Sequence, residues 1–297
     1  MRKAFLQLHA AVFLAGFTGV LGHLITLNEG MLVWYRLLFT SLIMWLIFGL
    51  RKKIRPLPVR TILRIGGVGF IAAMHWITFY ASIKYSNVSV ALVTFSSLGF
   101  FTAVFEPMIL RKRVNRLELL FGLLTIGGIA VIFHFDTEYK TGIILGLISG
   151  MLAALFPIFN RQFLQEMNSE TMLTWQQTGA LLSISVFLPF YLQWFPAEHF
   201  LIGRNDFFWM MILVVFCSVI AFQFSSYALK RLSAFTVNIS FNLEPVYGIL
   251  MAFVLFHENK DLNAGFYLGF SIILLVLLVH VLLLVRDEKR KRRAAGI

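Results

Sequence analysis

Runs of roughly 20 apolar residues, each long enough to carry a helix across about 30 Å of hydrocarbon, recur from one end of the chain to the other. They leave no stretch for a water-soluble domain. Composition points the same way. Of 297 residues, 59% are hydrophobic and only 13% charged, where about a quarter charged is usual for a soluble globule. A soluble enzyme is therefore excluded. The one cysteine, Cys217, excludes an internal disulfide and any Cys-based zinc site, and its place inside an apolar run reads as packing. No metal and no cofactor are expected.

Charged and turn-rich segments divide the apolar runs into ten expected spans: 7–27, 31–50, 62–83, 88–110, 117–135, 141–159, 171–192, 207–228, 234–256 and 264–285. Connections this short make neighbours in sequence neighbours in space, so the expected architecture is one all-α polytopic bundle. If the spans alternate in direction, 21 basic residues fall on one side, at Arg2 and Lys3, within 51–64, within 111–116, at Arg161, at Lys230 and Arg231, and in the tail 286–293. The other side receives Lys84, Lys140, Arg204 and Lys260. That bias puts both termini in the cytoplasm and accounts for the basic balance without any nucleic-acid partner. The tail reads as the same retention signal, with anionic-lipid binding as its alternative. The opening run is a first span and not a cleaved signal peptide, because it is long and a second span follows almost at once.

Division near residue 140 gives a first half, 1–140, and a second half, 141–285, of five spans each, followed by the basic tail 286–297. An odd number of spans turns the second half upside down relative to the first. Tyr80, Ala81, Ser86 and Val90 recur as Tyr227, Ala228, Ser233 and Val237 at a constant offset of 147. Inverted repeats are a transporter plan in which two halves exchange roles as a midplane site faces one side and then the other.

The residues that carry this repeat also carry a resemblance. YASIKYSNVSVALV, the basic turn RKRVNR and LLFGLLTIGGIAVI, within 80–132, resemble the second half of an EamA domain of the drug/metabolite transporter superfamily. The stretch 227–283 does so too, with its Ala-Leu-Lys start, the Glu244-Pro245 pair, and Glu258 where that family places a Gly-Glu turn. His257 stands in place of the turn glycine, and Arg111 and Lys112 stand in place of the Gly-Glu pair of the first half. The resemblance implies a ten-helix, five-plus-five inverted repeat with cytoplasmic termini. It also implies alternating-access movement of small metabolites, often export of amino acids or related compounds.

Ionisable groups inside a span are costly, by about 2.5–3.5 kcal/mol on insertion scales, so Glu244, Glu106 and Arg36 each need a reason. Glu244 lies about ten residues into its span, roughly 15 Å deep. In a continuous helix Ser240, Tyr247 and Gly248 share its face, and Asn238 and Asn242 make a second polar face, which keeps the span away from lipid. Its role is binding substrate or a proton, against a structural carboxyl satisfied by hydroxyls. Glu106, also followed by proline, lies about four residues from the basic turn, where pairing with Arg111 or Arg113 competes with a gating role. Arg36, beside Trp34 and Tyr35, reads either as a snorkelling arginine in an aromatic belt or as a guanidinium for a substrate carboxylate. His75 and Trp76 read as proton relay and pocket wall, or as packing. Gln176, beside Trp175 and Gln177, occupies the second-half position that answers to Arg36.

Four prolines inside spans, Pro107, Pro157, Pro189 and Pro245, mark expected bends. Gly142, Gly146 and Gly150 form a GxxxG ridge, Gly16, Gly19 and Gly22 cluster on the first span, and both read as close helix contacts. Gly66, Gly67 and Gly69 lie in an apolar span with no preceding strand, so they are no nucleotide loop. The chain carries no phosphate-binding or metalloprotease motif, so a gradient must supply the energy. The leading expectation is a secondary transporter in the cell membrane. Its partners are the bilayer and a small carboxylate-bearing solute, and both proton exchange and uniport stay open. Efflux of hydrophobic cations is the rival within transport, and a membrane-embedded enzyme or partner subunit the rival outside it.

Overall fold

The computed structural model describes residues 2–135, 138–229, 240–241 and 243–294, and no strand occurs among them. The helices are α1 (Arg2–Leu24), α2 (Glu29–Leu50), α3 (Val59–Lys84), α4 (Val88–Phe95), α5 (Leu98–Leu110), α6 (Arg116–Phe135), α7 (Lys140–Glu166), α8 (Ser169–Trp194), α9 (Arg204–Ile212), α10 (Ala221–Leu229), α11 (Glu244–Phe256) and α12 (Ala264–Ala294). A π-helical stretch, Leu213–Ile220, joins α9 to α10, and a single 3-10 turn, Glu258–Lys260, follows α11.

Helix starts follow from local chemistry. The side chains of Asn28 and Asn87 accept from the amides of Gly30 and Val90, which satisfies donors that a helix N-terminus leaves open. The ends outrun the apolar runs. α3 starts at Val59 rather than 62, α7 continues to Glu166 rather than 159, and α12 continues to Ala294, because nothing in those flanks breaks a helix. Span 88–110 is broken where no proline stands. Ser97 N bonds to Thr94 O and Gly99 N to Ser96 O, tightening one turn, while Ser96 Oγ donates to Leu92 O. Pro107, Pro157 and Pro189 lie inside helices that run through them.

Among the described residues, eight stretches are long and apolar enough to cross a membrane: Lys3–Leu24, Glu29–Leu50, Val59–Lys84, Val88–Leu110, Arg116–His134, Lys140–Glu166, Arg204–Ser225 and Ala264–Leu283. Two of the ten expected spans do not meet that standard. α8 has the length, at 26 residues, but Gln176, Gln177 and several hydroxyls dilute its hydropathy, and they are tolerated because α8 packs between α2 and α3. α11 is short, and most of the segment preceding it lies outside the described residues.

Contacts interleave the two halves. α3 packs on α7 and α8, as α10 packs on α1 and the π-helical stretch on α2. α4 and α5 pack on α7, as α11 packs on α1, and α2·α8, α4·α11 and α6·α12 join each element to its counterpart. Glycines set how closely these helices cross. A Cβ on Gly16 would lie 2.8 Å from the Glu244 carbonyl oxygen at the start of α11, and one on Gly150 would lie 3.2 Å from Leu98 N at the start of α5. The first helix of each half thus seats a glycine against the break in the fourth span of the other. Gly66 and Gly69 face Gly179 and the Gln176 carbonyl where α3 crosses α8, which makes them contact residues.

Arg111 and His257, which end α5 and α11, are left-handed at φ 51° and 57°. This is the conformation that favours glycine at a helix C-terminus, so the glycine of the family turn has a backbone reason. The glutamate of that turn has one too. Glu258, buried, accepts from Val88 N at 2.9 Å and Ser89 N at 2.8 Å, capping α4 across the halves. Glu258→Ala leaves two buried donors open, at about 1–3 kcal/mol for a buried unsatisfied group. Thermal unfolding in detergent should show a midpoint several degrees lower, and an unchanged midpoint would refute the capping role.

Candidate functional site

Arg36 arises seven residues into α2 and is only 3% exposed. The snorkelling alternative therefore falls. Its Nη1 donates to Tyr80 Oη at 2.8 Å, its Nε donates to Ser218 Oγ at 3.2 Å, and its guanidinium carbon lies 4.2 Å from the centre of the Trp76 ring. Trp76 and Tyr80 share a face of α3 at four-residue spacing, and Ser218 comes from the π-helical stretch. A desolvated arginine over tryptophan gains about 2 kcal/mol, which with two hydroxyl acceptors holds the cation in the bundle. Among the described residues no direct ion pair joins it to a carboxylate. A guanidinium has five N–H donors; with two engaged on hydroxyls, enough remain for a two-pronged grip on one carboxylate. One turn further along α2, the buried Thr40 hydroxyl has no partner among the described residues.

Glu244 stands at the first position of α11 with Pro245 after it, so the helix starts inside the bundle as the Glu-Pro pair suggested. Leu243 is a turn residue, and the continuous polar face joining Ser240 to Tyr247 and Gly248 is broken there. Gly248 faces Gly16 and Leu92, while Tyr247 packs on Phe13 of α1. Glu244 is half-buried and makes no hydrogen bond or ion pair among the described residues. The charge of Arg36 bears on it, and both charges bear on the buried Cys217. Asn242 lies outside the described residues.

The remaining candidates separate from this pair. His75 borders the site through its neighbour Trp76, but turns to α7, with Nδ1 2.8 Å from Ser149 Oγ and its ring stacked on Phe95 at 5.3 Å. Trp34, two residues from Arg36 and so about 200° around the helix, donates through Nε1 to Ser185 Oγ of α8 at 2.9 Å. Gln176 and Asn160 exchange hydrogen bonds at 2.9 and 3.3 Å, and no contact among the described residues links Gln176 to Arg36. Glu106 pairs with Lys112 at 3.2 Å and Arg161 at 3.5 Å, so its partners are not Arg111 or Arg113. Sequence reasoning missed Tyr80 and Ser218. Tyr80 carried a signal, its recurrence at Tyr227 in the repeat; Ser218, inside FCSVI, carried none.

At the end of the bundle away from the chain termini, the α1–α2, α3–α4 and α8–α9 connections surround a cavity of about 620 Å³. Thr26, Glu29, Lys84, Tyr85, Trp194 and Asp206 contribute to its wall.

Apolar helices from two interlocked repeats, closing on a buried cation and an inward-starting helix, define a multi-pass membrane protein. The chain belongs to the EamA-like transporter family, whose model matches residues 2–134 and again 140–280. It is a membrane transporter by family, of a family whose members are transporters rather than enzymes. A solved structure described only as "Crystal structure of protein" matches with a TM-score of 0.65 at 15% identity, over 97% of this chain and 99% of that one, and shows the shared fold. No curated protein matches the chain by sequence.

Proposed function

We propose that the protein exports small carboxylate-bearing solutes, amino acids foremost, by alternating access between two inverted five-span halves, 1–140 and 141–285. Both termini are then cytoplasmic, as is the basic tail 286–297. The observation that carries the reading is Arg36: a buried guanidinium, stacked on Trp76, with donors left over and, among the described residues, no carboxylate paired to it. An amino acid supplies the missing carboxylate to Arg36 and an ammonium to Glu244. When the site is empty, a proton on Glu244 offsets the charge that the ammonium brought, which makes exchange of substrate for protons the natural coupling. A buried arginine opposes a lipophilic cation, which sets the multidrug reading below this one. Glu106, with Lys112 and Arg161, belongs to a latch at the cytoplasmic end.

Thermal unfolding of the purified protein with amino acids, their methyl esters and the corresponding decarboxylated amines tests the carboxylate requirement. Free amino acids are expected to raise the midpoint while esters and amines leave it unchanged. Equal stabilisation by amines or lipophilic cations would sink the reading.

A further inference from the structure

We propose that the cavity at the end of the bundle away from the termini is a second binding station for the transported solute, with Lys84 as the anchor for its carboxylate. The inference rests on the carboxylate reading above and adds a site to it. The cavity, about 620 Å³, has the size of a small-molecule pocket.

Two of its acidic groups, Asp206 and Glu29, are engaged by the protein. Both oxygens of Asp206 accept from Thr26, one from the backbone N at 2.9 Å and one from Oγ1 at 2.8 Å, which ties α9 to the α1–α2 connection. Glu29, buried at the start of α2, accepts from the Tyr191 hydroxyl of α8. Asn28 is used twice, accepting from Gly30 N and donating to Phe195 O. Lys84 differs: its ammonium makes no hydrogen bond or ion pair among the described residues. The charges of Glu29 and Asp206 bear on it with no direct ion pair among the described residues. Among the described residues the wall thus offers one free cation, while Glu198 on the exposed α8–α9 connection supplies the opposite charge for an ammonium. That is the polarity of a zwitterion, carboxylate inward and ammonium outward.

Position links this station to the first. Lys84, Tyr80 and Trp76 lie on one face of α3, each pair separated by about 6 Å of rise. Tyr80 is fully buried and accepts from Arg36, and its ring fills the space left where Gly22 of α1 has no side chain. Tyr80 therefore stands on that face between Trp76, which stacks on Arg36, and Lys84, which lines the cavity. A solute leaving Arg36 passes Tyr80 and meets a second cation one turn further on.

Equilibrium dialysis of a 14C-labelled L-amino-acid mixture against the wild-type protein, Lys84→Gln, Arg36→Gln and the double variant tests this. The wild type is expected to bind in two components. Lys84→Gln should lose the weaker one and Arg36→Gln the tighter one, and the double variant should bind none. Lys84→Cys should regain the weaker component after modification by aminoethyl methanethiosulfonate, which restores the cation, and not after the sulfonatoethyl reagent. Lys84 is exposed, so thermal unfolding of its variants should match wild type. Single-component binding in the wild type, unchanged by Lys84→Gln and abolished by Arg36→Gln, would overturn the second station while leaving the carboxylate reading intact. No binding to any of the four proteins would overturn both.

Discussion

Arg36→Gln is expected to lower transport of a carboxylate-bearing solute by about 30- to 150-fold, the range that loss of a charge-assisted grip of roughly 2–3 kcal/mol produces. The size follows from burial. In a site 3% exposed, water does not replace the lost donors, and a solute carboxylate would enter unpaired. Arg36→Lys separates charge from shape. A lysine keeps the cation but has neither the planar fork nor the stack on Trp76, so it should recover only a small part of the activity. Tyr80→Phe and Ser218→Ala leave the charge in place and remove one acceptor each, so their losses should be several-fold and smaller than that of Arg36→Lys. Flux assays in proteoliposomes read these differences. Arg36→Gln at wild-type activity would remove Arg36 from the mechanism.

The second large effect concerns assembly. A Cβ on Gly69 would fall well inside contact distance of the Gln176 carbonyl oxygen, which is backbone and cannot move aside like a flexible side chain. Gly69→Leu must push α3 from α8, and α3 also carries Trp76 and Tyr80. A cost of about 3 kcal/mol or more is expected for overpacking of this kind, enough to remove most folded protein. Gly67→Leu, on the same helix, meets nothing within 4 Å at its Cβ and should leave the yield of folded protein near wild type. Size-exclusion profiles and thermal unfolding in detergent distinguish them, and equal behaviour of the two variants would refute the crossing geometry.

The membrane class and most helices were legible because hydrocarbon thickness imposes a length and a composition that few other constraints can mimic. The glycine ridges Gly142, Gly146, Gly150 and Gly16, Gly19, Gly22 were readable as contacts because small residues at helical spacing in an apolar span let helices approach closely, whereas the facing of Gly66 and Gly69 toward α8 was not. What the sequence hid was rotation about each helix axis. Trp34 and Arg36 look like neighbours in a string, yet two residues put them on nearly opposite faces, one toward Ser185 and the other into the bundle. Periodicity is weak in a helix apolar all round, so the facing of Arg36 could not be derived from α2 itself. Ser218 was hidden for another reason: a π-helical stretch shifts register by its own rule, and nothing in LVVFCSVI announces one. The break at Ser96 and Ser97 escaped because proline was the more familiar sign, whereas the serine hydroxyl and a tightened turn do the work here. Glu106 shows that nearness in sequence does not choose an ion-pair partner, because Lys112 and Arg161 pair with it where Arg111 and Arg113 were the expected partners.

Under the proposed function, Arg36 and Glu244 together bind a carboxylate-bearing solute and couple its movement to protons. Counterflow into proteoliposomes preloaded with amino acids, organic acids and cationic drugs tests it most directly, read by mass spectrometry at two pH values for the wild type and Glu244→Gln. The account predicts selective exchange of amino acids, dependent on pH in the wild type, and either lost or made independent of pH in Glu244→Gln. Flux of cationic drugs without flux of amino acids, or Glu244→Gln with the wild type's rate and pH dependence, would contradict it.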